Sequence, residues 1–405
     1  MSQEASPSPV LIRGEMVKAP EASRSIMKAS PGARVVPGEN HHRVLCKQVS
    51  IESPSKATKE TVFTFEVPMP PVPESGARIK VVCAGVCYRR RDSTLRRDSS
   101  CDSATARNRG IRDASLFPGY EVAGIVDALG ENVQEDGEVE IGDRVIVYPY
   151  DGIPHGYAEY ISIPETQYLL KLPVGIPLPV ASMLPTGALW AMNAVFDAKK
   201  HVDSLHAEIE HERDKVKVLV VGTGGLALWA LRLAIFYFGH EHEKVQVTVA
   251  TLKDEGLADV AADYANQFNV VHWDEELHEK ALIERTLDAC KGPVDIVINF
   301  GTTTRSLLRS LQCLTRGGIV FIGSDASDFL IKKFQRQCED SRQKIEAVEM
   351  GTYEQLQQLV NLVANKEIEP PPYTLFPAEK AQEVIRKMLR SEVNGRAILQ
   401  FTDLV

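Results

Sequence analysis

The stretch from Lys217 to Phe238 constrains this chain more than any other. Lys217-Val-Leu-Val-Val221 runs directly into Gly222-Thr223-Gly224-Gly225-Leu226-Ala227, followed by a helix-compatible apolar run to Phe238. An apolar strand, a glycine turn and a helix in that order form the opening unit of a parallel, doubly wound sheet. The turn reads G-x-G-x-x-A. Gly222 permits the tight turn, Gly224 lets backbone N–H groups approach a pyrophosphate at the helix N-terminus, and Ala227 is small enough for close helix–strand packing. A glycine triplet alone is weak, because such turns also serve packing. Its place between strand and helix makes a dinucleotide site the better reading. Val218 to Phe238 carries only Arg232 as a charge, yet the glycine interruption favours a buried strand and helix over a membrane span.

Cofactor identity turns on the end of the second strand, Val245 to Lys253. A site for NAD usually places an acid there to bond the ribose 2′-hydroxyl. This chain offers Ala250, a hydroxyl at Thr251 and a cation at Lys253. The missing carboxylate removes repulsion toward a 2′-phosphate, and Thr251 with Lys253 can bind one, so NADP(H) is preferred over NAD(H). The competing account makes Lys253 a surface lysine that begins the next helix.

The strands divide the chain into two regimes. Val62–Val67, Ala77–Ala84, Val122–Val126, Arg144–Tyr148 and Ala158–Ile163 are short and separated by Gly and Pro, as in an all-β barrel. Beyond Leu184, Lys217–Val221, Val245–Ala250, Val294–Asn299 and Ile319–Ile322 are buried strands alternating with helical stretches, an α/β pattern. The tail from Pro370 returns to strand, helix and strand. Residues 1–40, rich in Ser, Pro and Ala, read as a disordered tail and not as a signal or transit peptide. Arg89 to Arg112 holds eight arginines and reads as an exposed loop. His201–Lys215 and His240–Lys244 read as solvated charged loops, and their histidines have no metal-ligand spacing.

The formal charge of −9 argues weakly against nucleic acid or an anionic membrane as partner. Seven scattered cysteines suit a reducing compartment, read as the cytoplasm, better than a secreted disulfide framework. Arg90-Arg91-Asp92-Ser93 and Arg96-Arg97-Asp98-Ser99 are paired R-R-D-S stretches similar to kinase substrates, which makes Ser93 and Ser99 candidate phosphorylation sites.

Nine segments in order resemble the medium-chain dehydrogenase/reductase superfamily past the N-terminal tail. They are VPMPPVPESGARIKVVCAGVC (67–87), FPGYEVAGIV (117–126), GDRVIVYP (142–149), HGYAEYISIP (155–164), ASMLPTGALWA (181–191), VLVVGTGGLA (218–227), VDIVINFG (294–301), GGIVFIG (317–323) and NGRAIL (394–399). The resemblance implies a GroES-like β-barrel domain over 41–186 and a Rossmann domain over 187–350. It also implies a return to the barrel domain over 351–405, a cleft between the two domains, a small-molecule substrate and a homodimer. The cofactor-binding residues implied are Gly222, Thr223, Gly224, Gly225, Leu226, Thr251, Lys253 and Gly301.

The departures from the family carry as much as the matches. The zinc-dependent branch holds its catalytic metal with a Cys in G-V-C, a His in G-H-E and a further Cys. Here Cys87 is kept, Tyr120 replaces the His before Glu121, and Thr186 stands where the further Cys aligns. The structural-zinc lobe needs four cysteines, and Cys101 is alone in that region. Neither zinc is expected. Arg89 replaces the hydroxyl of the proton relay, and Trp190 aligns with a threonine usually near the nicotinamide. Without a Lewis acid, the chemistry expected is hydride transfer to a conjugated carbonyl, enal, enone or quinone. Tyr120 is the first candidate acid or oxyanion donor, because it replaces a residue that points into the cleft, and Tyr88 is the second. Arg89 is a candidate anchor for an anionic substrate or enolate. Cys87 and Glu121 complete the candidate catalytic set. The competing expectation is a cofactor-binding protein that acts as a redox sensor or scaffold without catalysis.

Overall fold

A computed structural model describes residues 44–51, 62–86, 119–134, 137–150, 152–207, 215–222, 225–239, 244–251, 268–273, 277–301, 303–323, 327–389, 392–393 and 395–403. The expected N-terminal tail, the arginine loop with Ser93 and Ser99, and His211, His240 and His242 lie outside these residues.

The first half builds a mostly antiparallel sheet. Its elements are β1 (Leu45–Ile51), β2 (Val62–Pro68), β3 (Ala77–Val86), β4 (Glu121–Leu129), β5 (Arg144–Val147), β6 (Tyr160–Ile163) and β7 (Leu169–Lys171). β1 and β2 pair antiparallel by themselves, and Val49 N–H donates to Tyr157 O (2.7 Å) to tie them to the rest. β3 is the central strand: it pairs with β4 over nearly its whole length and with β6 at its start. Eight of its ten residues are buried, because β3 is covered on both faces.

A short helix α1 (Leu178–Ser182) and a π-helical turn (Leu184–Ala188) lead into α2 (Leu189–Ala207). The π-turn is closed by Leu189 N–H donating to Leu184 O. Such turns concentrate at functional positions. His201 and His206 belong to α2, contrary to the loop expected from His201 onward. Ala198 and fully buried Val202 carry the apolar face of the helix past the point where charge takes over the sequence.

The second sheet follows with β8 (Val216–Val221), α3 (Gly225–Phe238), β9 (Val245–Thr251), β10 (Phe268–His272), α4 (Glu279–Ala289), β11 (Val294–Asn299), α5 (Thr304–Cys313), β12 (Leu314–Gly323), α6 (Ser327–Ser341) and β13 (Lys344–Val348). It is parallel throughout, in the order β10-β9-β8-β11-β12-β13, so the strand order reverses between β8 and β11. The long apolar run of the sequence is β8 plus α3, a helix with ten buried residues. Among the described residues no helix is long and apolar enough to cross a membrane.

α7 (Tyr353–Ala364), started by a capping box of Thr352 and Gln355, precedes β14 (Tyr373–Pro377), α8 (Ala381–Leu389) and β15 (Arg396–Gln400). β15 pairs antiparallel with β3 and parallel with β14, which completes a barrel sheet of order β14-β15-β3-β4-β5-β7. One continuous apolar core joins the two sheets. Val82, Cys83, Ala123 and Ile146 of the barrel side meet Leu184 and Ala188 of the π-turn and Val218 and Trp229 of the parallel side.

Candidate active site

The carboxyl ends of β8, β11 and β12 form a crest, and each is followed or closed by a glycine. Gly222 sits at φ +152°, where a Cβ would stand 3.0 Å from the Ala227 Cβ. That contact is the close strand–helix packing expected of the third position of the glycine turn. Gly301 N–H donates to Asn299 Oδ1 (2.7 Å), while Asn299 Nδ2 donates to Ser310 Oγ (3.0 Å), so the turn after β11 is locked onto α5. Thr251 ends β9 and is 2% exposed, and its carbonyl accepts from Trp273 N–H (2.7 Å). The strand therefore ends in a hydroxyl where an acid is usual. Gly225 and Leu226 open α3; Thr223, Gly224 and Lys253 lie outside the described residues.

A residue with no sequence-derived role stands over the start of α3. Arg396, the first residue of β15, is 5% exposed, and its Nη1 would lie 2.9 Å from a Cβ at Gly225. Only glycine fits there. The guanidinium thus stands beside the positive end of the α3 dipole, an arrangement that attracts an anion. The sequence signal was Asn394-Gly395-Arg396, with Gly395 at φ +70° turning the chain into β15.

Arg396 Nη2 also donates to Glu121 Oε2, making an ion pair whose carboxylate is fully buried. The other oxygen, Glu121 Oε1, accepts from Thr186 Oγ1 (2.6 Å) and Gly187 N–H (3.2 Å). The bare α-carbon of Gly85 makes room for this carboxylate: a Cβ there would lie 2.9 Å from the Glu121 Cβ. β4, β15 and the π-turn are cross-linked by one side chain.

Strand alternation sends Tyr120 the other way. Glu121 and Ala123 face the π-turn and α2, whereas half-buried Tyr120 packs with Val122 and Val126 on the barrel core. Its ring centroid is 6.3 Å from that of His155, itself 8% exposed. Tyr120 and Glu121, grouped together from the sequence, thus occupy opposite faces. His155, not singled out from the sequence, is the polar neighbour of the phenol. Cys87, Tyr88 and Arg89 lie outside the described residues.

Among the described residues the donors do not fit a catalytic zinc. Tyr120 and Thr186 replace two expected ligands, and the intervening carboxylate of Glu121 is taken by a cation, a hydroxyl and an amide. Among the described residues no group of three His, Cys, Asp or Glu side chains could hold a metal ion. The described cysteines 46, 83, 290, 313 and 338 are all buried and unpaired. Burial pushes the Cys83 and Cys313 thiols up to about 12, as expected of inert core residues.

Two family models match: the alcohol dehydrogenase GroES-like domain over residues 73–174 and the zinc-binding dehydrogenase over 258–399, together more than half of the chain. A zinc-type alcohol dehydrogenase-like protein of Schizosaccharomyces pombe is 23% identical over 310 residues, 70% of this chain and 82% of that protein. A probable quinone oxidoreductase of the same yeast is 33% identical over 156 residues, 38% of this chain and 40% of its own. The solved quinone oxidoreductase of Coxiella burnetii shares the fold with a TM-score of 0.63 at 20% identity, covering 89% of this chain and all of that one (100%). With barrel sheet, parallel sheet and glycine crest in place, the chain belongs to the medium-chain dehydrogenase/reductase superfamily of NAD(P)-dependent oxidoreductases.

Proposed function

We propose that the chain is a zinc-independent oxidoreductase that prefers NADP(H) and transfers hydride to a small or medium conjugated carbonyl, enal, enone or quinone. The observation that carries this reading is that Thr186, at one expected ligand position, donates to Glu121, whose carboxylate is in turn paired with Arg396. A cofactor at the crest is supported by the strand–glycine–helix order, with Gly222 at positive φ and the Arg396 guanidinium beside the α3 N-terminus. Gly222, Thr223, Gly224, Gly225 and Leu226 with Arg396 hold the pyrophosphate, Gly301 lines the crest beside it, and Thr251 with Lys253 holds the 2′-phosphate. When bound, the cofactor supplies or accepts the hydride. Tyr120 is the first proposed donor of a hydrogen bond or proton to the developing enolate oxygen, from the His155 side of the chain and not from the Glu121 side. Tyr88 as second donor, Arg89 as an anchor for negative charge on the substrate, and Cys87 complete the proposed catalytic set. The reading includes a barrel domain over 41–186, a Rossmann domain over 187–350 and a return over 351–405. Family resemblance supports a homodimer, and the free buried cysteines support a cytoplasmic setting.

A second reading, a nucleotide-binding sensor or scaffold without turnover, is favoured by one observation: the Trp190 ring packs on Gly323 at the crest. Fluorescence titration with NADPH and NADH, followed by a screen of enals, enones and quinones, separates the two. Tighter NADPH binding and turnover of at least one acceptor is the expected result. Binding without turnover of any acceptor selects the sensor, and failure of both nucleotides to bind overturns both readings.

A further inference from the structure

The two halves of the parallel sheet differ at the crest. In a doubly wound sheet a dinucleotide lies across the carboxyl ends of the strands, with its pyrophosphate at the first helix and one nucleoside over each half. The residue that meets the adenosine ribose ends the second strand, here Thr251 of β9, so the adenosine lies over β8–β10. The nicotinamide then falls over β11–β13.

That second half holds an aromatic ring of the chain's own. Trp190, one turn beyond Thr186 at the start of α2, lies so close to Gly323 that a Cβ there would stand 2.8 Å from Cζ2 and 3.0 Å from Cη2. Its Nε1–H donates to Val348 O (2.8 Å), the last residue of β13. A planar nitrogen heterocycle with an N–H donor therefore sits against the bare backbone that closes β12 and takes a carbonyl at the end of β13, on the half of the crest where a nicotinamide would lie. The placement is built into the fold. Asn193 donates to Glu349 O (2.9 Å), Gln355 donates to Asn193 Oδ1 (3.1 Å), and Tyr148 Oη donates to Gly351 O (3.0 Å).

We infer that Trp190 occupies the nicotinamide half of the site, so that ligands bind through their adenosine diphosphate part and nicotinamide enters only when the indole swings out. This rests on the reading of the glycine crest as a nucleotide site. Trp190 is thereby a specificity-determining residue: it takes affinity away from the redox-active end of the cofactor and leaves the adenosine end untouched.

Isothermal titration calorimetry with two ligand pairs tests this: NADPH against 2′-phospho-ADP-ribose, and NADH against ADP-ribose. In the wild-type protein each pair binds with equal affinity to within about threefold, because nicotinamide must displace the indole. W190A strengthens binding of the nicotinamide-bearing member by about tenfold or more relative to its fragment, while W190F, which keeps the ring in place, retains the wild-type ratio. Wild-type preference for the nicotinamide-bearing member by about tenfold, or an unchanged ratio in W190A, overturns the inference. If W190A does not fold, the wild-type ratio decides alone. Binding with the wrong ratio removes only the role of Trp190, whereas no binding of any of the four ligands removes the nucleotide reading as well.

Discussion

Two arginine–glutamate clusters in this molecule use the same chemistry to different ends. On the flank of the parallel sheet, Glu279 at the start of α4 accepts from Arg309 Nε (2.7 Å) and Nη2 (2.9 Å) and pairs with Arg305. Its side chain is 39% exposed, and the Arg309 guanidinium lies 4.5 Å from the Trp273 ring centroid. The hydrogen bond from Arg309, and with it Arg305, holds the Glu279 carboxyl down at about 2. At the junction of the sheets, Glu121 and Arg396 are 0% and 5% exposed, and their partners come from three separate elements. The flank cluster fastens α4 to α5 within one layer. The junction cluster holds β4, β15 and the π-turn together and carries a cation to the α3 N-terminus. Solvent is at hand to replace a lost partner at the first and is largely kept from the second.

The largest effect is expected where water is excluded. Arg396→Met leaves a buried, uncompensated carboxylate and costs about 3–5 kcal/mol in urea denaturation. Adding Glu121→Gln recovers a large part of that loss, and additive losses would show that the two side chains do not act as a pair. Next comes the flank. Glu279→Ala costs about 1–2 kcal/mol, since Arg309 keeps its place over Trp273 while losing a half-exposed partner. A loss at Glu279 equal to that at Arg396 would break the contrast. Thr186→Val removes one neutral donor from Glu121 and costs about 1 kcal/mol, with Gly187 N–H and Arg396 still in place.

The smallest effect is a pH dependence. A carboxyl with a folded pKa depressed to about 2 contributes stability that is present above its unfolded value and lost as pH falls toward about 2. The difference in Tm between wild type and Glu279→Gln is therefore constant above pH ~5 and shrinks below ~4. A difference that grows on acidification would contradict the cluster's assignment.

The glycine turn was legible because its requirements are local: a strand, a positive-φ glycine and a helix lie within one short stretch, and β8, Gly222 and α3 form as read. β13 was not, because only Val348 of its five residues is buried, and an exposed edge strand has no apolar alternation to detect. At the site, Glu121 was readable as an important polar residue, but its partner Arg396 lies 275 residues away and no local pattern links them. Tyr120 was assigned to the cleft because it replaces a histidine that points there, but the packing of its ring beside His155 and on the barrel core depends on contacts no local pattern encodes. Trp190 was legible as a bulky departure. Its hydrogen bond to Val348, 158 residues away, was not.

Elemental analysis of the protein as purified and after chelator treatment, alongside NADPH-dependent reduction of a conjugated carbonyl, tests the zinc independence proposed for the site. Zinc well below one equivalent per chain as purified, and a reduction rate unchanged by the chelator, are the expected results. About one tightly held zinc per chain, with activity lost on its removal and restored on its return, would contradict it.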